Sequence, residues 1–200
     1  MIDKLMQEIV LNTISRRDLV LMLIGIDSVG EVEGSIGGIT RLQKFLFLLE
    51  KEFGLEASGD GFSFTAYKAG PYSSKLYDDL ELLENLGKLE SSIEGEATDA
   101  EAAEVELLDF DELMGNESEE GPGAADAFEE RKFSLTDNGL EYVQALISGG
   151  DFEPVEDAIR KMKSKYGAHS LNDLLFYVYD KYPEMTTESE IKDKVLRRRR

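Results

Sequence analysis

The sequence contains no cysteine and a single histidine, and these two shortages limit the chemistry of the chain. Without cysteine there can be no disulfide, no thiolate zinc site and no cysteine nucleophile. His169 has no second imidazole or thiol with which to share a metal, so we expect it to be a surface or helix-capping residue. No nucleotide-binding or calcium-binding motif is present. The sequence therefore predicts no catalytic residue, no cofactor and no metal site, and hence a protein that is not an enzyme.

Long apolar runs are also missing. The longest, Leu19 to Ile26, is too short to span a bilayer. Asp3 and Glu8 precede it and no small-residue cleavage site follows, which argues against a secretory signal. Together with the absence of cysteine, this predicts a cytoplasmic protein with no membrane partner.

Basic residues are absent from residues 94–130, which contain fifteen Asp and Glu. This stretch supplies most of the net charge of -20, because the rest of the chain has 27 acids against 22 bases. A composition of Ala, Gly, Asp and Glu with few aromatics cannot bury enough surface to offset the entropy of ordering. We therefore expect residues 94–130 to be a mostly disordered acidic insertion.

One part of the acidic insertion resembles a docking peptide, because apolar residues alternate with acids as in segments that fold against a groove. The groove could belong to another protein or to this chain's own surface. The candidate protein-binding residues are Val105, Leu107, Leu108, Phe110, Leu113 and Met114.

The first half of the chain predicts helices and one short strand. A helix begins near Ser15 or Asp18, residues 30–38 form a mobile loop, and Thr40 opens a second helix with Gln43 as its capping-box partner. Alternation over residues 62–67 predicts a strand that Gly70 and Pro71 stop. A third helix follows Ser73 or Ser74 and ends at Gly87.

The second half predicts a hairpin and four helices. Residues 88–93 and 132–135 form paired strands around the acidic insertion, and Thr136 begins the next helix. Three helices follow: one over about 155–166, one over 170–182, and a last one opened by Thr187 with Glu190 as its capping partner. The order of the elements up to residue 148 is the plan of a winged helix-turn-helix domain.

The predicted fold class is therefore mainly α with a small antiparallel β-hairpin (α+β). We expect a winged-helix domain over 1–93 plus 131–148, the acidic insertion 94–130 in its wing, and a C-terminal helical appendage with a basic tail over 151–200.

Two stretches carry a family resemblance: TRLQKFLFLLE over 40–50 and FTAYKAGPYSSKLYDDL over 64–80. They resemble the uncharacterised YwgA-like proteins and, more distantly, the Panacea (SocA-like) domain of antitoxins. Residues 133–142 are similar to the closing strand and helix of winged-helix regulators. The resemblance implies a winged-helix scaffold used in regulation, defence or toxin neutralisation, without catalytic residues. Tyr72 and Ser73 stand where Panacea proteins have a hydrophobic pair, and the acidic wing belongs to neither pattern.

A winged helix suggests nucleic acid, but the helix that would enter the groove is acidic. Residues 72–90 contain five acids against Lys75 and Lys88, the wrong sign for phosphate contact. Bases cluster elsewhere, where they form a solvated face and a disordered tail, contact nucleic acid, or lie against the acidic insertion. The candidate nucleic-acid-binding residues are Arg160, Lys161, Lys163, Lys165, Arg197, Arg198, Arg199 and Arg200.

The Gly-Pro turn has two interpretations. The glycine and proline serve the backbone, or Tyr67, Lys68, Tyr72 and Lys75 grip a partner protein at the mouth of the turn. The tyrosines of residues 177–182 likewise cap the winged helix or form a homodimer. The leading hypothesis is a regulatory or adaptor protein, antitoxin-like or a regulatory subunit, that binds another protein. The alternative is a transcriptional regulator that contacts DNA through its basic C-terminal residues.

Overall fold

The computed structural model describes residues 14–28, 32, 34–96 and 129–197. Its described part is mainly helical with small antiparallel sheets, which confirms the α+β class. The helices are α1 Arg16–Gly25, α2 Ile39–Phe53, α3 Ser74–Asn85, α4 Asp137–Ser148, α5 Glu153–Tyr166, α6 Leu171–Lys181 and α7 Lys192–Arg197, with a 3-10 helix Pro183–Thr186. The strands are β1 Ser35–Gly37, β2 Thr65–Tyr67, β3 Gly70–Tyr72, β4 Leu89–Glu96 and β5 Glu129–Leu135.

The hairpin around the acidic insertion is present as predicted. β4 and β5 pair antiparallel, from Leu89 opposite Leu135 to Ile93 opposite Arg131, with an irregularity before Glu96. The sequence signal was sufficient because strand-forming residues flank the insertion on both sides.

Residues 30–38 are not simply a loop, and that prediction was wrong for its second half. β1 lies there and pairs with the outer edge of β5, so the three-stranded sheet has the order β1-β5-β4. Gly34 is needed for contact rather than mobility: a Cβ on Gly34 would lie 1.9 Å from the carbonyl oxygen of Ile24 in α1.

The Gly-Pro turn does not stop a strand but begins one. β2 and β3 form a second, two-stranded sheet in which Ala66 lies opposite Pro71. Gly70 has φ of +89°, a backbone conformation that favours glycine. Proline is tolerated here because a two-stranded sheet consists of edge strands only.

Helix caps were predicted with mixed success. The hydroxyls of Ser15 and Thr136 cap α1 and α4, and Gly87 ends α3 with φ of +62°. The capping box of Thr40 and Gln43 is wrong, because α2 begins at Ile39 after Gly38. The Gln43 amide is fully buried and binds the backbone of Ser73 instead: its Oε1 accepts from the Ser73 N–H at 2.9 Å.

The last helix begins later than predicted. Residues 183–186 form the 3-10 helix and α7 begins only at Lys192, so Thr187 opens no α-helix. Glu190 is held in a tertiary contact instead of a cap: its N–H donates to the carbonyl of Lys68 at 3.0 Å. The C-terminal segment is therefore attached to the β2–β3 sheet.

One cluster of buried side chains runs through the described chain. It includes Leu23 of α1, Phe47 of α2, Ile159 of α5 and Leu175 of α6. Burial of this apolar surface is the main force holding the C-terminal helices on α2. The division into domains at 148–151 stays a prediction. No helix in the described ranges combines the length and the apolar character that crossing a membrane needs.

Candidate functional site

Three tyrosines stack on one side of the molecule, and we call them the tyrosine face: Tyr67, Tyr72 and Tyr77. The ring centroids of Tyr67 and Tyr72 are 4.8 Å apart, and those of Tyr72 and Tyr77 are 5.7 Å apart. All three side chains are half-buried. Such pairs each contribute about 0.5–1.5 kcal/mol beyond burial of area. The tyrosine face is therefore a preordered aromatic surface.

The structure brings three of the four predicted turn residues together. Tyr67 and Tyr72 stack, and the Lys68 ammonium lies 5.9 Å from the Tyr67 ring centroid. Lys75 does not join them, because its ammonium binds Asp60, the Ser63 hydroxyl at 2.9 Å and the carbonyl of Gly61. The binding of a partner by Tyr67, Lys68, Tyr72 and Lys75 stays a prediction.

Tyr77 was not among the predicted binding residues. Its helical spacing with Leu76 and Leu80 assigned it to the buried stripe of α3, and periodicity alone does not distinguish a stripe's centre from its edge. The residue type could have indicated a surface position, because a tyrosine at the edge of an apolar stripe presents its hydroxyl to solvent.

Tyr77 also lines a groove between α3 and β5, which we call the acidic groove. Its volume is about 190 Å³. Leu80 and Phe133 form apolar walls, Glu81 and Glu84 supply two carboxylates, and Arg131 supplies one guanidinium. The Oε1 atom of Glu84 is buried and has no hydrogen-bond partner within the described residues. A buried acceptor without a hydrogen bond costs about 1–3 kcal/mol of stability, so a donor that reached this oxygen would form a favourable hydrogen bond.

A buried ion pair fixes the orientation of α3. The Asp79 side chain is 2% exposed and accepts from Arg16 Nε at 2.6 Å and from Arg17 Nε at 3.1 Å. The hydrogen bond to Asp79 raises the pKa of Arg16. Because Asp79 is buried, it does not add to the exposed acidic charge of α3.

The basic residues of the C-terminal helices do not share one surface. Arg160 pairs with Glu156, Lys161 with Asp157 at 2.6 Å and Lys165 with Glu52 at 2.9 Å, whereas Lys163 lines a separate cleft. Arg197 lies 3.5 Å from Asp193. Arg198, Arg199 and Arg200 lie outside the described residues. Neighbouring acids therefore offset most of the charge that the sequence concentrates on α5.

One carboxylate joins α2, α5 and α6, and we call this group the Glu52 cluster. Glu52 is only 8% exposed. Its two oxygens accept from these five donors: Tyr166 OH at 2.5 Å, Tyr177 OH at 2.6 Å, Lys181 Nζ at 2.8 Å, Lys165 Nζ at 2.9 Å and Tyr182 OH at 3.2 Å.

The donors determine the charge state of Glu52. Burial acts to raise its pKa, but the hydrogen bonds from Lys181, Tyr166, Tyr177 and Lys165 together outweigh burial and lower the pKa to about 2. Burial and the hydrogen bond to Glu52 also raise the pKa of Tyr166, so this phenol stays protonated and is a poor acid. The Glu52 cluster is consequently suited to holding helices together rather than to proton transfer.

The tyrosines of residues 177–182 form hydrogen bonds within the chain. Tyr177 and Tyr182 bind Glu52, and the buried Tyr179 donates or accepts a hydrogen bond with Ser189 at 2.9 Å. Tyr179 also lies against Gly70, where a Cβ would come within 2.8 Å of its ring. The homodimer stays a prediction.

The apolar docking residues of the acidic insertion, Val105, Leu107, Leu108, Phe110, Leu113 and Met114, lie outside the described residues. His169 lies directly before Ser170, whose hydroxyl caps α6 by accepting from the N–H of Asp173. In the part of the chain that the structure describes, no three His, Asp or Glu side chains converge as metal ligands.

Comparison with models of known protein families, with curated proteins and with solved structures gives no match for this chain.

Proposed function

We propose that this chain is a non-enzymatic regulatory or adaptor protein, antitoxin-like or a regulatory subunit, that binds another protein through the tyrosine face and the acidic groove of a winged-helix scaffold. The order of elements supports this architecture: α1, α2 and α3 precede a β4–β5 hairpin in the position of a wing, and α4 follows. β1 completes the sheet from the outer edge of β5.

The unsatisfied oxygen of Glu84 is the observation that carries the proposal. Glu84 lines a groove whose walls, Leu80 and Phe133, are apolar, and Tyr77 belongs to both the groove and the tyrosine face. The carboxylate must turn towards the groove for a partner to reach this buried oxygen. A partner's lysine or arginine would supply the missing donor, and an apolar neighbour would fill the groove. Charge-assisted hydrogen bonds of this kind are stronger than neutral ones. The occupant is therefore a partner segment in which a basic residue stands beside apolar ones.

Charge supports a basic partner over a nucleic acid. The chain carries -20, which attracts a cationic protein surface and repels a polyanion. Salt bridges engage Arg160, Lys161 and Lys165, so α5 offers little uncompensated charge to phosphates.

Peptide selection tests the proposal directly. We expect random peptides displayed on phage and selected on the purified chain to be enriched in Lys or Arg next to apolar residues. Glu84→Gln should weaken a selected synthetic peptide roughly ten- to hundredfold, because a charge-assisted hydrogen bond contributes about 1.5–3 kcal/mol. Tyr72→Ala should weaken the same peptide by removing an aromatic anchor.

Glu141→Gln is the matched control, since Glu141 is exposed on α4. Isothermal titration with thermal melts of each variant separates lost binding from lost folding. The proposal fails if selected peptides bind Glu84→Gln and wild type equally. It also fails if random-sequence duplex DNA binds with an affinity that falls steeply with salt, which would favour the transcriptional regulator.

A further inference from the structure

A second cleft, which shares no lining residue with the acidic groove, lies between β1, the first turns of α2 and the end of α5. Its volume is about 500 Å³, in the range of small-molecule sites. Arg41, Lys163 and His169 bring basic side chains to it, Ser35 and Ser164 bring hydroxyls, and Asp27 is its one carboxylate among the described lining residues.

Arg41 is held in place at the wall of this cleft. Its Nη1 donates to the backbone carbonyl of His169 at 2.8 Å, and its guanidinium lies 5.9 Å from the ring centroid of Phe45. A guanidinium positioned in this way presents its planar donor edge in a fixed orientation, and that geometry suits the oxygens of a phosphate or carboxylate.

Lys163 differs from the other bases of α5. Arg160, Lys161 and Lys165 form salt bridges, whereas the Lys163 ammonium makes no hydrogen bond or ion pair within the described residues. Burial lowers its pKa to about 8, and the negative charge of Asp27 only partly opposes this effect. A partly desolvated ammonium in a cleft gains more from a bound anion than an exposed one does.

We propose that this cleft binds a small molecule carrying a phosphate group, with Arg41 and Lys163 contacting the phosphate oxygens and the Ser35 and Ser164 hydroxyls completing the site. Arg41 and Lys163 outnumber the single carboxylate of Asp27 among the described lining residues, so at pH 7 the lining is net positive in a chain of net charge -20. A nucleic acid would meet that overall negative charge along its whole length, whereas a small anion meets only the cleft. This site is separate from the proposed partner surface.

Isothermal titration with inorganic phosphate, ribose 5-phosphate and uncharged ribose tests the site. We expect both phosphates to bind and ribose not to bind. Tighter binding of ribose 5-phosphate than of inorganic phosphate would identify a phosphate ester as the ligand class, and equal binding would identify a site for the free anion. Lys163→Met and Arg41→Met should each weaken phosphate binding at least tenfold, and thermal melts confirm that the variants are folded.

Lys161→Met is the matched control, because Lys161 lies on the same helix but is exposed and paired with Asp157. It should leave phosphate affinity within twofold of wild type, as should Glu84→Gln in the acidic groove. Bound phosphate should also draw a proton onto Lys163 near pH 8, visible as a binding enthalpy that depends on the ionisation enthalpy of the buffer. The charged and titratable groups that line the cleft with Lys163 are Asp27, Arg41 and His169.

Three results would overturn the proposal: no binding of either phosphate at 10 mM, equal phosphate binding by Lys163→Met and wild type, or equal binding of ribose and ribose 5-phosphate. A concentration of 10 mM corresponds to roughly the weakest affinity that such a site would show. A variant that loses peptide binding but keeps phosphate binding, or loses phosphate binding but keeps peptide binding, would show that the two sites are independent.

Discussion

Lys163 and Lys165 are two residues apart on α5, but only the Lys165 ammonium forms an ion pair within the described residues. Lys165 donates to Glu52 at 2.9 Å as one of five donors to that carboxylate. Lys163 faces a cleft, and burial lowers its pKa to about 8. Two residues of an α-helix turn the side chain through about 200°, so neighbours in sequence reach different surroundings. The function of a basic cluster is therefore decided by the partners of each side chain rather than by its total charge.

The comparison also separates a saturated site from an open one. In the Glu52 cluster each donor already has its acceptor, so a ligand would have to displace internal hydrogen bonds before binding. In the cleft, the Lys163 ammonium gains a hydrogen-bond acceptor only when a ligand arrives. A buried charge with internal partners thus stabilises the fold in the first site, and a partly buried charge without one favours ligand binding in the second.

The largest expected effect is that of Glu52→Gln. The glutamine keeps the shape of the side chain but loses its charge, and its NH2 group faces donors that it cannot satisfy. We expect a loss of about 2–3 kcal/mol in the free energy of unfolding at pH 7, measured by urea denaturation. Glu50→Gln is the control on the same helix, since among the described residues Glu50 forms an ion pair with its neighbour Lys51 at 3.0 Å and joins no other element, and it should cost less than about 0.5 kcal/mol.

Acid pH gives a second readout of the same variant. The folded pKa of Glu52 is about 2, below the value of about 4.3 for an unfolded glutamate. Its contribution is therefore complete above about pH 4.5 and is lost as the pH falls towards 2. The difference between wild type and Glu52→Gln should shrink over that interval. A difference that stays constant from pH 6 to pH 2 would contradict a charge-based role for Glu52.

Local signals in the sequence predicted the elements whose ends are chemically marked. Ser15, Thr136 and Gly87 satisfy or release backbone groups within their own turn, so their roles can be read from neighbouring residues. β1 and β3 could not be predicted in this way. Their three residues each become strands only because β5 and β2 lie beside them, and Gly34 and Gly70 permit the close approach that tertiary packing requires.

The candidate sites were predictable to a similar extent. Tyr67 and Tyr72 flank a Gly-Pro pair, and their stacking follows from the hairpin that they border. The groove oxygen of Glu84 and the cleft ammonium of Lys163 could not be foreseen, because each depends on burial by residues distant in the chain, such as Phe133 and Arg41. From the sequence alone, both charged side chains were expected to be exposed to solvent.

Lys163→Met should raise the free energy of unfolding, whereas Glu52→Gln lowers it, and the size of its effect should be intermediate. Below about pH 8 the folded protein bears the cost of a partly buried ammonium, and this cost disappears as the pH rises from 8 towards the unfolded pKa of about 10.4. We expect Lys163→Met to stabilise the protein by about 1–2 kcal/mol at pH 7, and the advantage to diminish by pH 9.5.

Urea denaturation of both proteins between pH 7 and pH 9.5 measures this difference. The range stops there because Tyr166 and Lys181, whose pKa values are raised in the folded protein, lose their stabilising contributions only at higher pH, when the unfolded chain releases their protons. Saturating phosphate should remove the advantage of Lys163→Met at pH 7, since it stabilises only the wild type. A destabilised Lys163→Met at pH 7 without phosphate would instead place the ammonium in a structural ion pair.

The smallest effect is expected for Lys161→Gln, and it completes the comparison along α5. Lys161 pairs with Asp157 one turn away at 2.6 Å, but the two side chains are 66% and 58% exposed. Exposed pairs at this spacing contribute about 0.3–0.5 kcal/mol because water and salt screen them. We expect Lys161→Gln to change the free energy of unfolding by no more than that amount at low salt and by less at 1 M salt. A loss comparable to that of Glu52→Gln would mean that position on the helix, rather than burial and partners, governs how these charges act.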